Sequence, residues 1–165
     1  MSKKEQGGGA LLDESHGIDL IRYLIGEPKK VFAQVRNISD LEITSDDTVF
    51  LNLEFANKEM AHINFDLTSR FPRISIEIIC SEGTLIWDRI EHKIKIYDAK
   101  TKLWDELNFT KDDLMSMYFK QAEHFYNCLL GKEKSLIDIK DALKTQKIID
   151  ASFESSKKNT LVSIL

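Results

Sequence analysis

The segment VFLNLEFANKEMAHINFDL, residues 49–67, decides the fold of this chain. Apolar and polar side chains alternate in residues 49–55, as they do in a strand that buries one face and exposes the other. Residues 60–67 repeat this pattern, and the four residues between the two runs are typical of a tight turn. The segment therefore predicts an antiparallel β-hairpin.

The same alternation continues on both sides of this hairpin. Further strands are predicted at residues 31–36, 74–80, 84–87, 93–97, 103–109 and 161–164. Consecutive hairpins with apolar side chains on one face and polar side chains on the other indicate an antiparallel sheet. One face of this sheet is expected to meet water or a partner.

Three helices are predicted, at residues 11–25, 112–130 and 137–157. Gly26 and Pro28 end the first helix, and Thr110 is a suitable N-cap for the second. The order of helix, strands, two helices and strand predicts an α+β domain, in which helices pack on one face of a mostly antiparallel open sheet. Because no βαβ alternation occurs, we expect no Rossmann domain in this chain and a single domain over residues 1–165.

Composition limits the classes of protein to which the chain can belong. Its 165 residues are 42% hydrophobic and 30% charged, which suits one globular core. The net charge of -4 includes no basic block, which argues against nucleic acid as a partner. No apolar run approaches the roughly 20 residues of a membrane span, and the Lys-rich start lacks the apolar core of a signal peptide. We therefore expect a cytoplasmic protein that does not enter a membrane.

Asp13 and His16 are the first candidates for catalysis. Their spacing of three places both on one face of the predicted first helix, and a carboxylate beside an imidazole suits proton transfer. A second interpretation is that Asp13 only stabilises the helix N-terminus and that His16 is merely exposed. The spacing of the two residues, taken alone, favours this structural interpretation. His62, His92 and His124 do not have the spacing of metal ligands, so no metal site is predicted.

The glycines and cysteines carry weaker signals. Residues 7–9 are a glycine triplet, but the third glycine of the dinucleotide fingerprint is missing and no strand precedes the triplet. A phosphate-binding loop is therefore not predicted here. Cys80 and Cys128 lie among apolar residues and are predicted to be buried free thiols.

Four segments, taken in order, carry a resemblance to a known family. They are the glycine triplet and helix with Asp13, His16 and Asp19 in residues 7–20, the Gly-Thr-Leu turn at residues 83–85, and the helical segments at residues 121–131 and 138–156. Together they resemble the C-terminal substrate and oligomerisation domain of the Gfo/Idh/MocA family of NAD(P)-dependent oxidoreductases. These enzymes act on sugars and polyols.

The resemblance implies roles for the two candidate catalytic residues. His16 would accept the hydroxyl proton of the substrate as hydride leaves the reacting carbon, and Asp13 would position the imidazole or the substrate. In the family the two residues are commonly four apart, whereas here they are three apart. The identity of the acid that partners His16 is therefore left open.

The resemblance also implies an open sheet that faces a substrate pocket and joins copies of the chain into a homo-oligomer. Asp19 matches the second aspartate of the family motif and either contacts substrate or, as we favour, has a structural role. Arg70 and Arg73 are candidate substrate-binding residues because guanidinium groups suit carboxylates and phosphates. A solvated turn is the favoured alternative for these two arginines.

The family's enzymes bind NAD or NADP in an N-terminal Rossmann domain, which carries the glycine fingerprint and a lysine in a Glu-Lys-Pro motif. Neither motif occurs in this sequence. We therefore expect a fragment of an enzyme that uses NAD or NADP on a sugar or polyol-like small molecule, and no cofactor binding or catalysis by this chain alone. The alternative hypothesis is a non-catalytic α+β binding or assembly module.

Overall fold

The strands form two four-stranded sheets in the computed structural model, which describes residues 3–164. Residues 3–69 and 137–164 form one compact unit, and residues 70–136 form a second. Every strand pair is antiparallel, which confirms the predicted α+β class with antiparallel pairing. The strand pattern of the sequence predicts one sheet, whereas the strands divide between the two units.

The strands are β1 (Lys30–Arg36), β2 (Thr48–Glu54), β3 (Met60–Asp66), β4 (Ser75–Cys80), β5 (Gly83–Asp88), β6 (Lys93–Asp98), β7 (Leu103–Asn108) and β8 (Val162–Ser163). The helices are α1 (Ala10–Asp13), α2 (Ser15–Ile25), α3 (Lys111–Leu129) and α4 (Ile139–Lys158), preceded by a short 3₁₀ helix at Lys4–Gln6. Within residues 3–164, no helix combines the length and the apolar character needed to cross a lipid bilayer.

The first sheet has the strand order β3-β2-β1-β8, and the hairpin predicted from residues 49–67 forms its β2 and β3. Leu51 of β2 pairs with Ile63 of β3 and with Ala33 of β1. All three side chains are buried on the same face of the sheet. The alternation read from the sequence therefore sets the strand register, because a slip of one residue would expose this apolar set.

Three helices cover that apolar face of the first sheet. Leu11 of α1, Ile18 of α2 and Ile148 of α4 join the strand side chains in one buried cluster. This packing confirms, for the first unit, the prediction that the helices lie on one face of the sheet.

Two serines of α4 complete the hydrogen bonding of β1. Strand β8 pairs only with the first two residues of β1, so amide groups further along β1 lack a strand partner on that side. The Ser155 hydroxyl accepts from the amide of Ala33 at 2.9 Å, and the Ser156 hydroxyl accepts from the amide of Val35 at 2.9 Å. Polar side chains on the buried face of α4 therefore replace part of a missing strand.

The first helix begins at Ala10, one residue before its predicted start, but it is interrupted. α1 ends at Asp13 and α2 begins at Ser15, because Glu14 has φ −99° and ψ 15°, away from helical geometry. The prediction of one continuous helix over residues 11–25 is therefore wrong at Glu14. The predicted end is confirmed, since α2 stops before Gly26, whose φ is 116°.

A buried carboxylate organises the loop between β1 and β2. Asp47 accepts hydrogen bonds from the amides of Ile38 and Ser39 at 3.0 and 2.9 Å, and from the hydroxyl of Thr48 at 3.0 Å. Burial by itself raises the pKa of Asp47, but the hydrogen bonds from Ser39, Ile38 and Thr48 together lower it to about 2. The ionised side chain thus serves as an internal acceptor for the loop.

The second unit contains the sheet β4-β5-β6-β7 and helix α3. Gly83 opens β5 with a φ of 159°, and a Cβ atom there would lie 1.9 Å from the carbonyl oxygen of Tyr97 on β6. The glycine of the Gly-Thr-Leu turn is therefore required by the close approach of two strands. Thr110 caps α3 in a reciprocal capping box with Asp113, which confirms the predicted N-cap.

Neither cysteine is buried. Cys80 ends β4, an edge strand of the second sheet, and is exposed. Cys128 lies in the last turn of α3 and is half-buried, and both thiols are free. The prediction of buried thiols is therefore wrong, because apolar neighbours along the chain do not decide which face of an element is covered.

Candidate functional site

His16, the predicted proton acceptor, is the second residue of α2 and is open to solvent. Its side chain is 70% exposed, and its Nε2 lies 3.2 Å from Oε2 of Glu14. Glu14 is also the residue at which the helix is interrupted. The sequence pattern does not single out Glu14 as a partner of His16, because residues two apart on a continuous helix do not face each other.

Asp13 is the last residue of α1, and its carboxylate makes a local contact. Its Oδ2 accepts from the amide of Gly9, at the start of the same helix, at 3.4 Å. Because Glu14 interrupts the helix, a spacing of three no longer places Asp13 and His16 on one helical face. The Gly9 contact is the kind expected of an acid near a helix N-terminus.

The glycine triplet makes room for a carboxylate of the protein. Gly9 has a φ of 137°, and a Cβ atom there would lie 2.4 Å from Oδ1 of Asp46. Oδ2 of Asp46 accepts from the amide of Leu11 at 2.8 Å, and its backbone carbonyl accepts from the amide of Ala10 at 2.9 Å. A negative charge therefore already occupies the N-terminus of α1 and opposes an anionic ligand there.

Asp19 is held by a buried arginine of the same helix. Its Oδ1 accepts from Nη1 of Arg22 at 2.7 Å and from the hydroxyl of Thr145 on α4 at 3.0 Å. The Arg22 side chain is 4% exposed, and it also donates two bonds to Glu27, at 3.0 and 2.9 Å, and one to Asp141 at 2.9 Å. A further bond to Thr145 at 2.7 Å gives all five guanidinium N–H groups an acceptor.

The charges of this network stabilise one another. The hydrogen bond to Glu27 is the largest cause that raises the pKa of Arg22 above its usual value. In return, hydrogen bonding to Arg22 lowers the pKa of Glu27 and of Asp141. Lys144 adds a second cation, with its Nζ 3.1 Å from Oε1 of Glu27. The network therefore remains ionised near neutral pH and joins α2 to α4.

His16 and Asp19 line one shallow pocket between α2 and the N-terminal half of α4. Its volume is ≈ 320 Å³, which lies near the lower end of the range of about 300–1,000 Å³ for small-molecule sites. Other lining residues supply hydrogen-bonding groups and apolar surface: Ser15, Thr145, Gln146, Ala142 and Ile149. The α4 side chains carry no signal in the sequence, since only the packing of α4 against α2 brings them to His16.

Arg70 and Arg73 belong to the second unit, where they precede β4, and both are exposed. All residues that line the pocket of His16 belong to the first unit. In the part of the chain that the structure describes, no three His, Cys, Asp or Glu side chains are grouped so that they could hold a metal ion.

Residues 2–164 match the family model described as "Oxidoreductase family, C-terminal alpha/beta domain", the C-terminal model of Gfo/Idh/MocA proteins. Among solved structures, the chain resembles the WlbA dehydrogenase from Bordetella pertussis in complex with NADH and UDP-GlcNAcA, with 21% identity and a TM-score of 0.77. It also resembles an oxidoreductase from Agrobacterium radiobacter in complex with NAD+, L-tartaric acid and magnesium, with 16% identity and a TM-score of 0.79. A levoglucosan dehydrogenase in complex with NADH and L-sorbose has 19% identity and a TM-score of 0.80.

These three matches cover 96%, 93% and 94% of this chain, but only 48%, 48% and 50% of the solved chains. The chain therefore spans about half the length of these proteins. At these identities the likeness shows a shared fold. A comparison with curated proteins found no match.

Proposed function

Because the chain belongs to the Gfo/Idh/MocA oxidoreductase family, as its C-terminal alpha/beta domain, we propose that it is the substrate-binding part of an NAD(P)-dependent oxidoreductase. The substrate is a sugar, polyol or sugar derivative that reacts at a secondary alcohol. The pocket in which exposed His16 lies beside Asp19, Thr145 and Gln146 carries this proposal. A ligand with several hydroxyl groups suits such a lining, because each hydroxyl both donates and accepts hydrogen bonds.

His16 is the residue to which we assign proton transfer. A neutral imidazole can take the proton of the substrate hydroxyl while the hydrogen on the same carbon leaves as hydride. Glu14 contacts Nε2, so Nδ1 is the nitrogen available to the substrate, and the Glu14 carboxylate stabilises the imidazolium that forms. Asp13 remains a candidate for positioning His16 or the substrate, in competition with Glu14.

Asp19, Arg70 and Arg73 are the candidate substrate-binding residues of the proposal. The side chain of Asp19 is 41% exposed, so it can accept a hydrogen bond from a substrate hydroxyl while Arg22 holds it in place. Arg70 and Arg73 suit a substrate that carries a carboxylate or a phosphate. Their exposure is compatible with this role.

NAD or NADP would supply the acceptor for the hydride. The described residues do not offer a site for its pyrophosphate, because the glycine triplet follows a 3₁₀ helix rather than a strand and Asp46 caps α1. We therefore assign cofactor binding to a part of the enzyme outside these residues. The chain alone is then catalytically inert, and the remaining half of the length of its structural relatives is where such a part is expected.

The proposal places the parent enzyme in the cytoplasm as a homo-oligomer that binds no nucleic acid. Exposed apolar side chains on the outer face of the first sheet support contact between copies of the chain. Phe50 is 37% exposed and Met60 is 79% exposed on this face. The net charge of -4 supports the absence of a nucleic-acid partner.

Replacement of His16 by alanine, in the full-length enzyme that contains this domain, tests the proposed function. We expect kcat to fall by about 10²- to 10⁴-fold with little change in KM, because a general base acts in the transition state. The measurement is the reduction of NAD or NADP in the presence of a panel of sugars and polyols. Tyr23→Ala is the matched control, since Tyr23 lies on the same helix and is 86% exposed.

Turnover of His16→Ala that equals the unmodified enzyme at every pH would contradict this function and favour the non-catalytic binding or assembly module. For the chain by itself, calorimetric titration with NAD(H) or NADP(H) is expected to show no specific binding. Micromolar affinity would contradict the assignment of cofactor binding to another part of the enzyme.

A further inference from the structure

A second group of titratable side chains lies in residues 124–136 of the second unit. His124 is on α3, Cys128 follows it by one helical turn, and Glu133 lies in the loop after the helix. Nδ1 of His124 lies 2.6 Å from Oε2 of Glu133, and its Nε2 lies 3.6 Å from Sγ of Cys128. Asn127 holds the other oxygen of Glu133 at 2.9 Å. We call Cys128, His124 and Glu133 the thiol cluster.

The contacts of His124 select one tautomer of its imidazole. A carboxylate at 2.6 Å requires a proton on Nδ1. The amide of Leu136 donates to Nε2 at 3.4 Å, so Nε2 carries a lone pair. The hydrogen bond from His124, followed by that from Asn127, lowers the pKa of Glu133 below its usual value, which keeps the carboxylate ionised. The Nε2 lone pair therefore faces two donors, the Leu136 amide at 3.4 Å and the thiol of Cys128 at 3.6 Å, which share it.

We propose that Cys128 is a nucleophilic thiol that exchanges with low-molecular-weight disulfides, with His124 as its base and Glu133 as the positioning residue for that base. A nucleophile in contact with a base that a third group orients is the arrangement that activates nucleophiles on unrelated folds. Cys128 is half-buried, and the His124 side chain is 28% exposed, which restricts access to small reactants. The proposed dehydrogenase chemistry uses none of these residues.

The exchange balances without a further co-reactant. Nε2 of His124 takes the proton of Cys128, and the thiolate attacks one sulfur of the disulfide. A new S–S bond forms as the S–S bond of the reactant breaks. The leaving sulfur recovers the proton from the imidazolium. Cys128 is thus oxidised to a mixed disulfide, and the leaving sulfur is reduced to a thiol.

The position of Cys128 near the C-terminal end of α3 disfavours a negative charge on its sulfur, whereas an imidazolium beside that sulfur would favour one. Cys128 lies in the last turn of the helix, where the helix dipole is equivalent to about half a negative charge. An imidazolium adjacent to the sulfur carries a full positive charge, and Glu133 holds it there. Glu133 is the charged side chain that contacts the imidazole, and Lys132 precedes it in the same loop.

Two variants of the full chain isolate the two thiols, since the sequence contains only two cysteines. Cys80→Ser leaves Cys128, and Cys128→Ser leaves Cys80 as the comparison thiol. Each variant reacts with 2,2′-dipyridyl disulfide, an uncharged reagent whose released thiopyridone is followed by absorbance. An ordinary thiol slows by roughly 80-fold between about pH 8 and about pH 6, because its thiolate fraction falls by that factor. We expect the reaction of Cys80 with the reagent to slow by this amount, and the reaction of Cys128 to slow by less than about tenfold. Because each thiol is compared with itself at the two pH values, differences between the thiols in their accessibility to the reagent cancel.

Variants of the cluster, made in the Cys80→Ser background, test its parts. His124→Gln removes the base. We then expect the reaction of Cys128 to slow by roughly 80-fold between about pH 8 and about pH 6, as for an ordinary thiol. Glu133→Gln is expected to give an intermediate dependence on pH. Glu123→Gln makes the same change of charge at an exposed position beside His124 and is expected to leave the dependence unchanged.

Circular dichroism verifies that each variant is folded. The proposal is overturned if, between about pH 8 and about pH 6, the reaction of Cys128 slows as much as that of Cys80. It is also overturned if folded His124→Gln protein shows the same pH dependence of the reaction rate as the Cys80→Ser parent. If His124→Gln does not fold, the Glu133→Gln variant provides the test. An unchanged pH dependence of the Cys128 reaction rate in that variant overturns the positioning role of Glu133.

Discussion

At the scale of single residues, His16 and Arg22 show how different two ionisable side chains of one helix can be. The imidazole of His16 is 70% exposed, whereas the Arg22 guanidinium is 4% exposed and has an acceptor for every N–H group. An exposed imidazole can exchange a proton with a bound ligand. A fully satisfied guanidinium has no donor left for one. The exposure of His16 therefore supports its proposed role in proton transfer, whereas the contacts of Arg22 give it a structural role.

Under the proposed function, replacing the two neighbouring carboxylates separately distinguishes Glu14 from Asp13 as the acid that assists His16. We expect Glu14→Gln to lower kcat of the full-length enzyme by about tenfold, because Glu14 contacts the imidazole and would stabilise its charged form. Asp13→Asn should have a smaller effect, and both variants should retain more activity than His16→Ala. The measurement is kcat with the best substrate of the panel. A larger loss for Asp13→Asn would instead assign the role to Asp13.

The stability of the chain should depend on pH through Asp47. Its pKa is about 2 in the folded chain against a usual value of 3.8, so between these values the unfolded state binds more protons. The contribution of Asp47 to the free energy of unfolding is therefore complete above about pH 4 and is lost as the pH falls through about 2. Urea unfolding at a series of pH values measures this loss.

Asp47→Asn should remove that part of the pH dependence, because the carboxamide does not titrate. Asp40→Asn, at an exposed position of the same loop, is the control and should preserve it. The free energy of unfolding is compared between unmodified and Asp47→Asn protein. If it changes with pH equally in both between about pH 4 and about pH 2, Asp47 is not the responsible group.

At the scale of elements, the joint between α2 and α4 builds the candidate site. Arg22 of α2 reaches Thr145 and Asp141 of α4, while Asp19 and Thr145 line the pocket beside His16. The two helices also share the apolar cluster above the first sheet. The pocket therefore depends on a polar network that fixes the relative position of two helices.

Arg22→Met should destabilise the first unit. The substitution leaves the carboxylates of Asp19, Glu27 and Asp141 close together without their shared cation. Loss of one partner of a fully buried ion pair costs about 3–5 kcal/mol, and we expect about 2 kcal/mol here because these carboxylates are partly exposed. Urea unfolding near neutral pH is the measurement.

Lys144→Gln is the matched control for Arg22→Met, since it removes an exposed cation from the same network. Its effect on the free energy of unfolding should be clearly smaller than that of Arg22→Met, because solvent screens an exposed ion pair. Equal effects of the two substitutions would mean that the network is a surface feature without a role in joining the helices.

At the scale of the whole molecule, the two faces of the first sheet differ, because helices cover one face and the other carries exposed side chains. The inner face packs against three helices, whereas the outer face presents aromatic side chains, with Phe50 stacked against His62 at a centroid distance of 6.1 Å. Exposed apolar surface of this kind favours association. The proposed homo-oligomer would use this face.

We expect the chain to self-associate in solution, with an apparent mass that rises with protein concentration in light scattering. Phe50→Glu places a charge on the outer face of the first sheet and should shift the equilibrium towards monomer. Tyr23→Glu, at an exposed position of α2, is the control and should leave association unchanged. A monomer at every concentration would contradict this prediction.

The sequence by itself determined the local structure and the family, because both depend on residues that are close along the chain. Alternating side chains in residues 49–67 determined the hairpin and its buried face, and Thr110 and Gly26 marked helix ends that the structure confirms. The order of short motifs was sufficient to identify the oxidoreductase family. His16 was a candidate for the same reason, since its motif is local.

The tertiary structure alone decided how distant groups meet. It divided the strands between two sheets, and it placed Thr145 beside Arg22 although the two are 123 positions apart. A periodic pattern reports which side of an element is apolar, but it does not report which other element covers that side. Burial and ion pairing depend on that choice of neighbour. The exposure of Cys80, the guanidinium network and the α4 wall of the pocket therefore became evident only in the folded chain.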